Sequence, residues 1–132
     1  MTKQEITWVD RLTMQLKQGK KVSVTFDQIF SPIHWEDAVQ GIHQLCLLNC
    51  RGLYQLCGRE PLSYFAIASK IVKELSLPSQ LVEAVSLDAW NDGVMRPKKI
   101  TMSPEKFLKE TSFSLQSIEQ QMESCLRSLH VS

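Results

Sequence analysis

KKVSVTFDQIF, residues 20–30, is the stretch on which the fold class of this chain depends. Val22, Val24 and Phe26 alternate with polar residues, as side chains do along a half-buried strand. A strand must pair its backbone amide and carbonyl groups with a second strand, and no other stretch of the sequence alternates as convincingly. We therefore predict that residues 20–30 form an extended loop that lies against helices.

Helical spacing accounts for most of the remaining sequence. Helix start signals lie at Thr2, Ser31, Pro61 and Ser103. Each is a capping residue or a proline that precedes apolar residues three or four positions apart. The helices expected cover residues 3–18, 33–57, 61–77 and 78–90, a short stretch after 104, and 115–129. Together they predict an all-α fold: a single domain, residues 1–132, built as a compact bundle of five or six helices.

The helix over residues 33–57 is predicted to be the centre of this bundle, ending at Gly58. Its apolar residues recur at steps of three, four or seven, and further leucines widen the apolar face until little of the circumference is left for water. The positions that form this pattern are Trp35, Ala38, Val39, Ile42, Cys46, Cys50, Leu53 and Cys57.

One histidine and three cysteines fall on a single face of the same helix. A zinc site usually gathers its ligands from two or more elements, and a reactive thiol needs exposure and a basic neighbour or a helix N-terminus. We therefore predict no metal and no cofactor, and we expect Cys46, Cys50 and Cys57 to be reduced and buried.

Composition limits the location and the class of partner. Hydrophobic residues make up 43% of the chain, yet no uninterrupted apolar run is long enough for an export signal or a membrane span. The 15 basic and 14 acidic residues leave a net charge of +1, which provides no field for nucleic acid or an anionic membrane. A cytoplasmic protein without a membrane partner is expected, and its oligomeric state stays open.

Residues 66–90 are predicted to form a helix, a tight turn and a second helix, which resembles a helix-turn-helix. The alternative function is therefore a nucleic-acid-binding regulator that uses this segment. The second helix carries Glu83 and Asp88 and no lysine or arginine, whereas a recognition helix needs basic and amide groups. Helix packing explains the segment better, so nucleic acid is not the expected partner.

No catalytic or dinucleotide-binding fingerprint occurs in the chain. By elimination, the sequence favours a small non-enzymatic protein-binding module, such as an inhibitor or immunity protein that neutralises a toxin, or a chaperone or adaptor. A second alternative is a small enzyme or ligand carrier built around His34, His43 and the cysteines.

The candidate partner surface lies at the end of the helix predicted over 78–90. A turn and a long loop bring charges of both signs beside an aromatic side chain there, and Trp and Arg often carry interface energy. The residues predicted to bind another protein are Asp88, Trp90, Asn91, Asp92, Arg96, Lys98 and Lys99.

Overall fold

The computed structural model describes residues 7–90 and 92–130, with side chains through Arg127. Helices and short strands are interspersed along this part of the chain. In chain order they are α1 (Trp8–Lys17), β1 (Val22–Thr25), β2 (Ile29–Phe30), α2 (Trp35–Leu47), β3 (Leu62–Ser63), α3 (Tyr64–Glu74), a 3₁₀ helix (Ser79–Leu81), β4 (Val82–Val85), a 3₁₀ helix (Leu87–Ala89), β5 (Lys99–Ile100), α4 (Glu105–Thr111) and α5 (Ile118–His130).

The strands form two small sheets. In the first, β1 and β4 run parallel, with Val22 opposite Val82 and Thr25 opposite Val85. In the second, β2 lies between β3, which is antiparallel to it, and β5, which is parallel to it. The fold is therefore mixed α/β, and both parallel pairs join segments far apart in the sequence.

The all-α prediction is wrong, and so is the loop predicted near residues 20–30. The alternation of Val22 and Val24 does mark a strand, β1, whose partner lies 60 residues further along the chain. That partner escaped notice because Leu81, Val82 and Val85 also fit helical spacing. Residues 78–90, predicted as one helix, form two 3₁₀ turns around β4, so the helix-turn-helix near residues 66–90 is absent as well.

The central helix predicted over 33–57 is also wrong. Helix α2 ends at Leu47, and Asn49 follows in the left-handed region with φ of 52°. The face predicted to be buried is largely exposed, and the buried positions of α2 are Asp37 and Gly41 on the opposite side.

Other predicted helices are confirmed. Helix α3 ends before Leu77-Pro78, α4 begins directly after Ser103-Pro104, and α5 covers most of the predicted final helix. The first helix is capped by Thr7, whose hydroxyl accepts the Asp10 amide at 3.2 Å. The start signal predicted at Thr2 lies outside the described residues.

One buried cluster joins α1, β1, α3 and α5 and holds the first sheet in place. The inner face of α3 supplies its centre, since apolar residues three and four apart line one side of a helix. The cluster consists of Leu12, Leu16, Val24, Ile67, Ala68, Ile71, Val72, Met122 and Leu126. Among the described residues, no helix is both long and apolar enough to cross a membrane.

Candidate functional site

A cleft of about 310 Å³ opens where the first turns of α1 and α3 meet β1 and the loop before β5. It combines three large aromatic side chains with several hydrogen-bonding groups and one cation. Its lining residues are Trp8, Ser23, Val24, Thr25, Gln28, Tyr64, Trp90 and Arg96. Ligand sites are typically concave, apolar in bulk and equipped with a few polar groups that orient the ligand, and this cleft has that composition.

Helix capping places two of the aromatic side chains. The capping box of Thr7 sets Trp8 as the first residue of α1, and the Ser63 hydroxyl accepts the Ala66 amide at 3.0 Å, which sets Tyr64 as the first residue of α3. The Trp8 and Tyr64 rings meet edge to face with centroids 4.8 Å apart. Phe30 stacks on the Tyr64 ring with centroids 4.6 Å apart, and this contact holds the Tyr64 ring in position at the cleft.

Arg96 supplies the positive charge of the cleft. Asp92 holds its guanidinium through two contacts, of 2.7 Å from Nη2 to Oδ2 and 3.0 Å from Nη1 to Oδ1. Asp92 also accepts the Val94 amide at 3.1 Å, and the hydrogen bonds from Arg96 and Val94 lower the pKa of Asp92 to about 2. An arginine carries five N–H donors in a planar guanidinium group. The ion pair with Asp92 therefore orients the guanidinium of Arg96 and leaves further N–H donors for an anion.

β1 and the turn after it contribute neutral polar groups. The Thr25 hydroxyl donates to Gln28 Oε1 at 3.3 Å, and the Ser23 hydroxyl donates to Glu83 Oε2 on the neighbouring strand at 3.2 Å. These side chains carry hydroxyl and amide groups that suit the hydroxyls and carbonyls of a polar ligand.

A network around Asp27 holds the ends of β1 and β4 together beside the cleft. Asp27 accepts the Ser86 hydroxyl at 2.7 Å and the Leu87 amide at 2.8 Å. Lys98 lies 2.7 Å from Asp88 and 3.3 Å from Asp27. The hydrogen bonds from Ser86 and Leu87 lower the pKa of Asp27 to about 2, and the two carboxylates raise the pKa of Lys98, Asp88 contributing more.

The structure separates the seven residues predicted to bind a partner. Trp90 and Arg96 line the cleft. Asp92 holds Arg96, whereas Asp88 and Lys98 belong to the Asp27 network, and exposed Lys99 begins β5. Asn91 lies outside the described residues.

The other cleft residues were not predicted from local patterns. Trp8 lies at the cleft and is half-buried. Ser23, Thr25, Gln28 and Tyr64 come from segments that only the pairing of β1 with β4 and the packing of α3 bring together.

The histidines and cysteines do not converge. His34 is buried, and its Nδ1 accepts the Glu36 amide at 3.3 Å, which caps α2. Cys57 is buried, but Cys46 is exposed, so the prediction of buried thiols is wrong for Cys46. In the part of the chain that the structure describes, no group of three or more His, Cys, Asp or Glu could hold a metal ion.

Solved structures resemble this fold over most of the chain. The dTDP-4-dehydrorhamnose reductase of Bacillus anthracis, in complex with NADP, matches with a TM-score of 0.82 and 24% identity over 96% of this chain and 44% of that one. The Clostridium acetobutylicum orthologue of that reductase matches with a TM-score of 0.84 and 14% identity, over 96% of this chain and 45% of the orthologue. The dTDP-glucose 4,6-dehydratase of Bacillus anthracis, in complex with NAD, matches with a TM-score of 0.75 and 15% identity. This match covers 92% of this chain and 38% of the dehydratase. The fold is therefore the mixed α/β, Rossmann-like fold of these enzymes.

The chain spans less than half the length of the solved reductases it matches. No curated protein matches it by sequence.

A family model matches nearly the whole chain: the model of the RmlD substrate binding domain covers residues 2–131. The function predicted from the sequence is therefore wrong, because this family model describes a substrate-binding domain and not an inhibitor, immunity protein, chaperone or adaptor. The expectation of a non-enzymatic module came only from the absence of catalytic fingerprints. This chain belongs to the RmlD substrate-binding domain family.

Proposed function

We propose that this chain is the substrate-binding part of a reductase that acts on a nucleotide-linked keto sugar of the dTDP-4-dehydrorhamnose kind. The observation that carries the proposal is the cleft between Trp8, Tyr64, Trp90 and Arg96, in a chain that the RmlD substrate-binding family model covers almost end to end. The activity belongs to the complete enzyme, and this chain contributes recognition.

Each part of the cleft suits one part of a nucleotide sugar. Aromatic faces stack on a pyrimidine ring or on the apolar face of a sugar. The Arg96 fork matches the oxygens of a diphosphate, and charge-assisted hydrogen bonds of this kind are about twice as strong as neutral ones. Ser23, Thr25 and Gln28 offer hydrogen bonds to hydroxyl or carbonyl groups.

The residues present do not form a dinucleotide site. A reductase of this kind transfers a hydride from a nicotinamide cofactor, and the Bacillus anthracis neighbour is a complex with NADP. The five glycines of this sequence stand at 19, 41, 52, 58 and 93, so no G-x-G-x-x-G fingerprint is present. We therefore assign no cofactor contact to this chain.

A cytoplasmic location remains part of the proposal. Cys46, Cys50 and Cys57 form no disulfide in the described part of the chain, which suits a reducing compartment.

Calorimetric titration of the purified chain with dTDP, and separately with thymidine, tests the proposal. We expect dTDP to bind, and Arg96→Ala to weaken it by about tenfold or more because a charge-assisted contact to phosphate contributes roughly 1.5–3 kcal/mol. Thymidine carries no phosphate, so Arg96→Ala should leave its binding unchanged, whereas Trp90→Ala should weaken both ligands. Lys99→Ala is the control, since Lys99 is a neighbouring cation outside the cleft lining. Binding of dTDP that neither cleft variant changes, or no binding at all, would contradict the proposal.

A further inference from the structure

Gln28 is a cleft residue whose hydrogen-bonding direction is fixed by its neighbour. The Thr25 hydroxyl donates to Gln28 Oε1 at 3.3 Å, and Thr25 is only 3% exposed. If the Gln28 amide were reversed, its nitrogen would face this hydroxyl, and the buried hydroxyl proton would have no acceptor among the described residues. The amide carbonyl therefore belongs to Thr25, and the NH2 group is left for a ligand.

The NH2 group of Gln28 is not used within the described part of the chain. No described residue accepts a hydrogen bond from Gln28 Nε2, although the side chain is half-buried in the lining of the cleft. A donor that is partly removed from water and lacks a partner gains most from a ligand that supplies an acceptor.

Other lining residues of the cleft add further donors. Arg96 carries guanidinium N–H groups, and Trp8 and Trp90 each carry an indole N–H for which no described residue is an acceptor. Among the described residues that line the cleft, none is Asp or Glu. Such a lining favours ligands that present carbonyl and phosphate oxygens over ligands that present amino groups.

The base is the part of a nucleotide sugar that this chain can enclose by itself. The keto group of the sugar must lie beside the nicotinamide that reduces it, and this chain lacks a dinucleotide fingerprint. A planar base, by contrast, needs only aromatic faces such as those of Trp8, Tyr64 and Trp90, which line the same cleft as Gln28. The acceptor that meets the Gln28 NH2 group is therefore a carbonyl of the base.

We propose that Gln28 determines which base the cleft accepts. Its NH2 group donates to the 4-carbonyl oxygen of thymine or uracil and disfavours cytosine, whose 4-amino group is itself a donor. Thr25 is the positioning residue, because its hydroxyl holds the amide in the orientation that makes this distinction. The inference rests on the proposed function, since it requires a nucleoside diphosphate in the cleft, and it widens the ligand class from dTDP to diphosphates of either keto pyrimidine.

Calorimetric titration of the purified full chain with dTDP, dUDP and dCDP tests the inference without any substitution. dUDP keeps the 4-carbonyl and lacks only the methyl group, so dTDP and dUDP should bind within about fourfold of each other. dCDP should bind about tenfold or more weakly than dUDP, because two donors that face each other are both left without a partner. If dUDP binds as weakly as dCDP, the cleft recognises the methyl group and the inference is wrong.

Two variants assign the preference to Gln28 and to its orientation. Gln28→Glu keeps the size of the side chain and the acceptor for Thr25 but replaces the NH2 group with a carboxylate oxygen. The affinity for dCDP relative to dUDP should therefore rise by about tenfold or more. Thr25→Val removes the hydroxyl that orients the amide, so this ratio should move toward one. Gln40→Glu is the matched control for charge and should keep the parent ratio, since Gln40 is exposed on α2 and outside the cleft lining.

The outcomes separate this inference from the proposed function. If dTDP does not bind the parent chain, the proposed function fails and the inference fails with it. If dTDP binds but dUDP and dCDP bind equally well, the inference is wrong and the proposed function stands. A preference for dUDP that Gln28→Glu leaves unchanged, in a variant that circular dichroism shows to be folded, also overturns the inference.

Discussion

The α-carbon of Gly58 lies so close to the main-chain carbonyl of Pro32 that a β-carbon there would overlap the carbonyl oxygen. The Gly58 amide also donates to the carbonyl of Ser31 at 3.3 Å. This crossing joins the segment before α2 to the segment that follows residues 53–57. The sequence suggested a helix end at Gly58; the structure shows that the residue is required for close approach instead.

Replacing Gly58 with alanine should therefore destabilise the chain by about 3 kcal/mol, because the backbone must shift to admit the β-carbon. Gly19→Ala is the matched control. Gly19 has φ of 73° and open space around it, so only conformational strain of about 1 kcal/mol is expected there. Urea unfolding followed by circular dichroism measures both, and equal losses would show that the crossing at Pro32 relaxes without cost.

Labelling with a thiol reagent should distinguish the cysteines. Cys46 is exposed and should react in the native state, whereas Cys57 is 1% exposed and should react only on unfolding. Burial also raises the pKa of the Cys57 thiol, so less of the reactive thiolate is present at neutral pH. Cys46→Ser should remove the fast phase; fast labelling that persists in this variant and maps to Cys57 would contradict the structure.

Local signals in the sequence were sufficient for several helices. The cap and proline at Ser103-Pro104 predicted the start of α4, and the break at Leu77-Pro78 predicted the end of α3. Such signals depend on residues a few positions apart, which is why they can be read without the fold.

The sheet and the cleft depend on contacts that local patterns do not contain. β1 is a strand because β4 lies beside it, and the spacing of Val82 and Val85 fits a helix as well as a strand. The apolar pattern over residues 33–57 predicted a buried central helix, whereas α2 ends at Leu47 and the face predicted to be buried is largely exposed among the described residues. Trp90 and Arg96 were found by residue type, whereas Tyr64 and Thr25 required the tertiary fold.

The network around Asp27 predicts a specific dependence of stability on pH. The pKa of Asp27 is about 2 in the folded chain, below the ordinary value of 3.8, because Ser86 and Leu87 donate to the charged carboxylate. A lowered folded pKa means that the contribution is fully present above about pH 4 and is lost as the pH falls through 2.

Unfolding midpoints of the parent chain and Asp27→Asn should therefore differ by a constant amount between pH 5 and 7 and converge as the pH falls from about 4 to about 2. Glu74→Gln is the control, since it removes an exposed carboxylate at the end of α3. A difference that persists unchanged at about pH 2 would show that the carboxylate charge is not what the network stabilises.

Two isoleucines test which helix forms the core. Ile71 in α3 is 0% exposed and belongs to the buried cluster, whereas Ile42 in α2 is 56% exposed. Ile71→Ala should cost about 2–5 kcal/mol in the urea unfolding of the purified chain, because it removes buried methyl groups and leaves a cavity. Ile42→Ala should change the stability by no more than about 0.5 kcal/mol, since its side chain is largely in water in the isolated chain. A central helix over residues 33–57, as predicted from the sequence, would require the opposite order. A larger loss for Ile42→Ala than for Ile71→Ala would therefore contradict this structure.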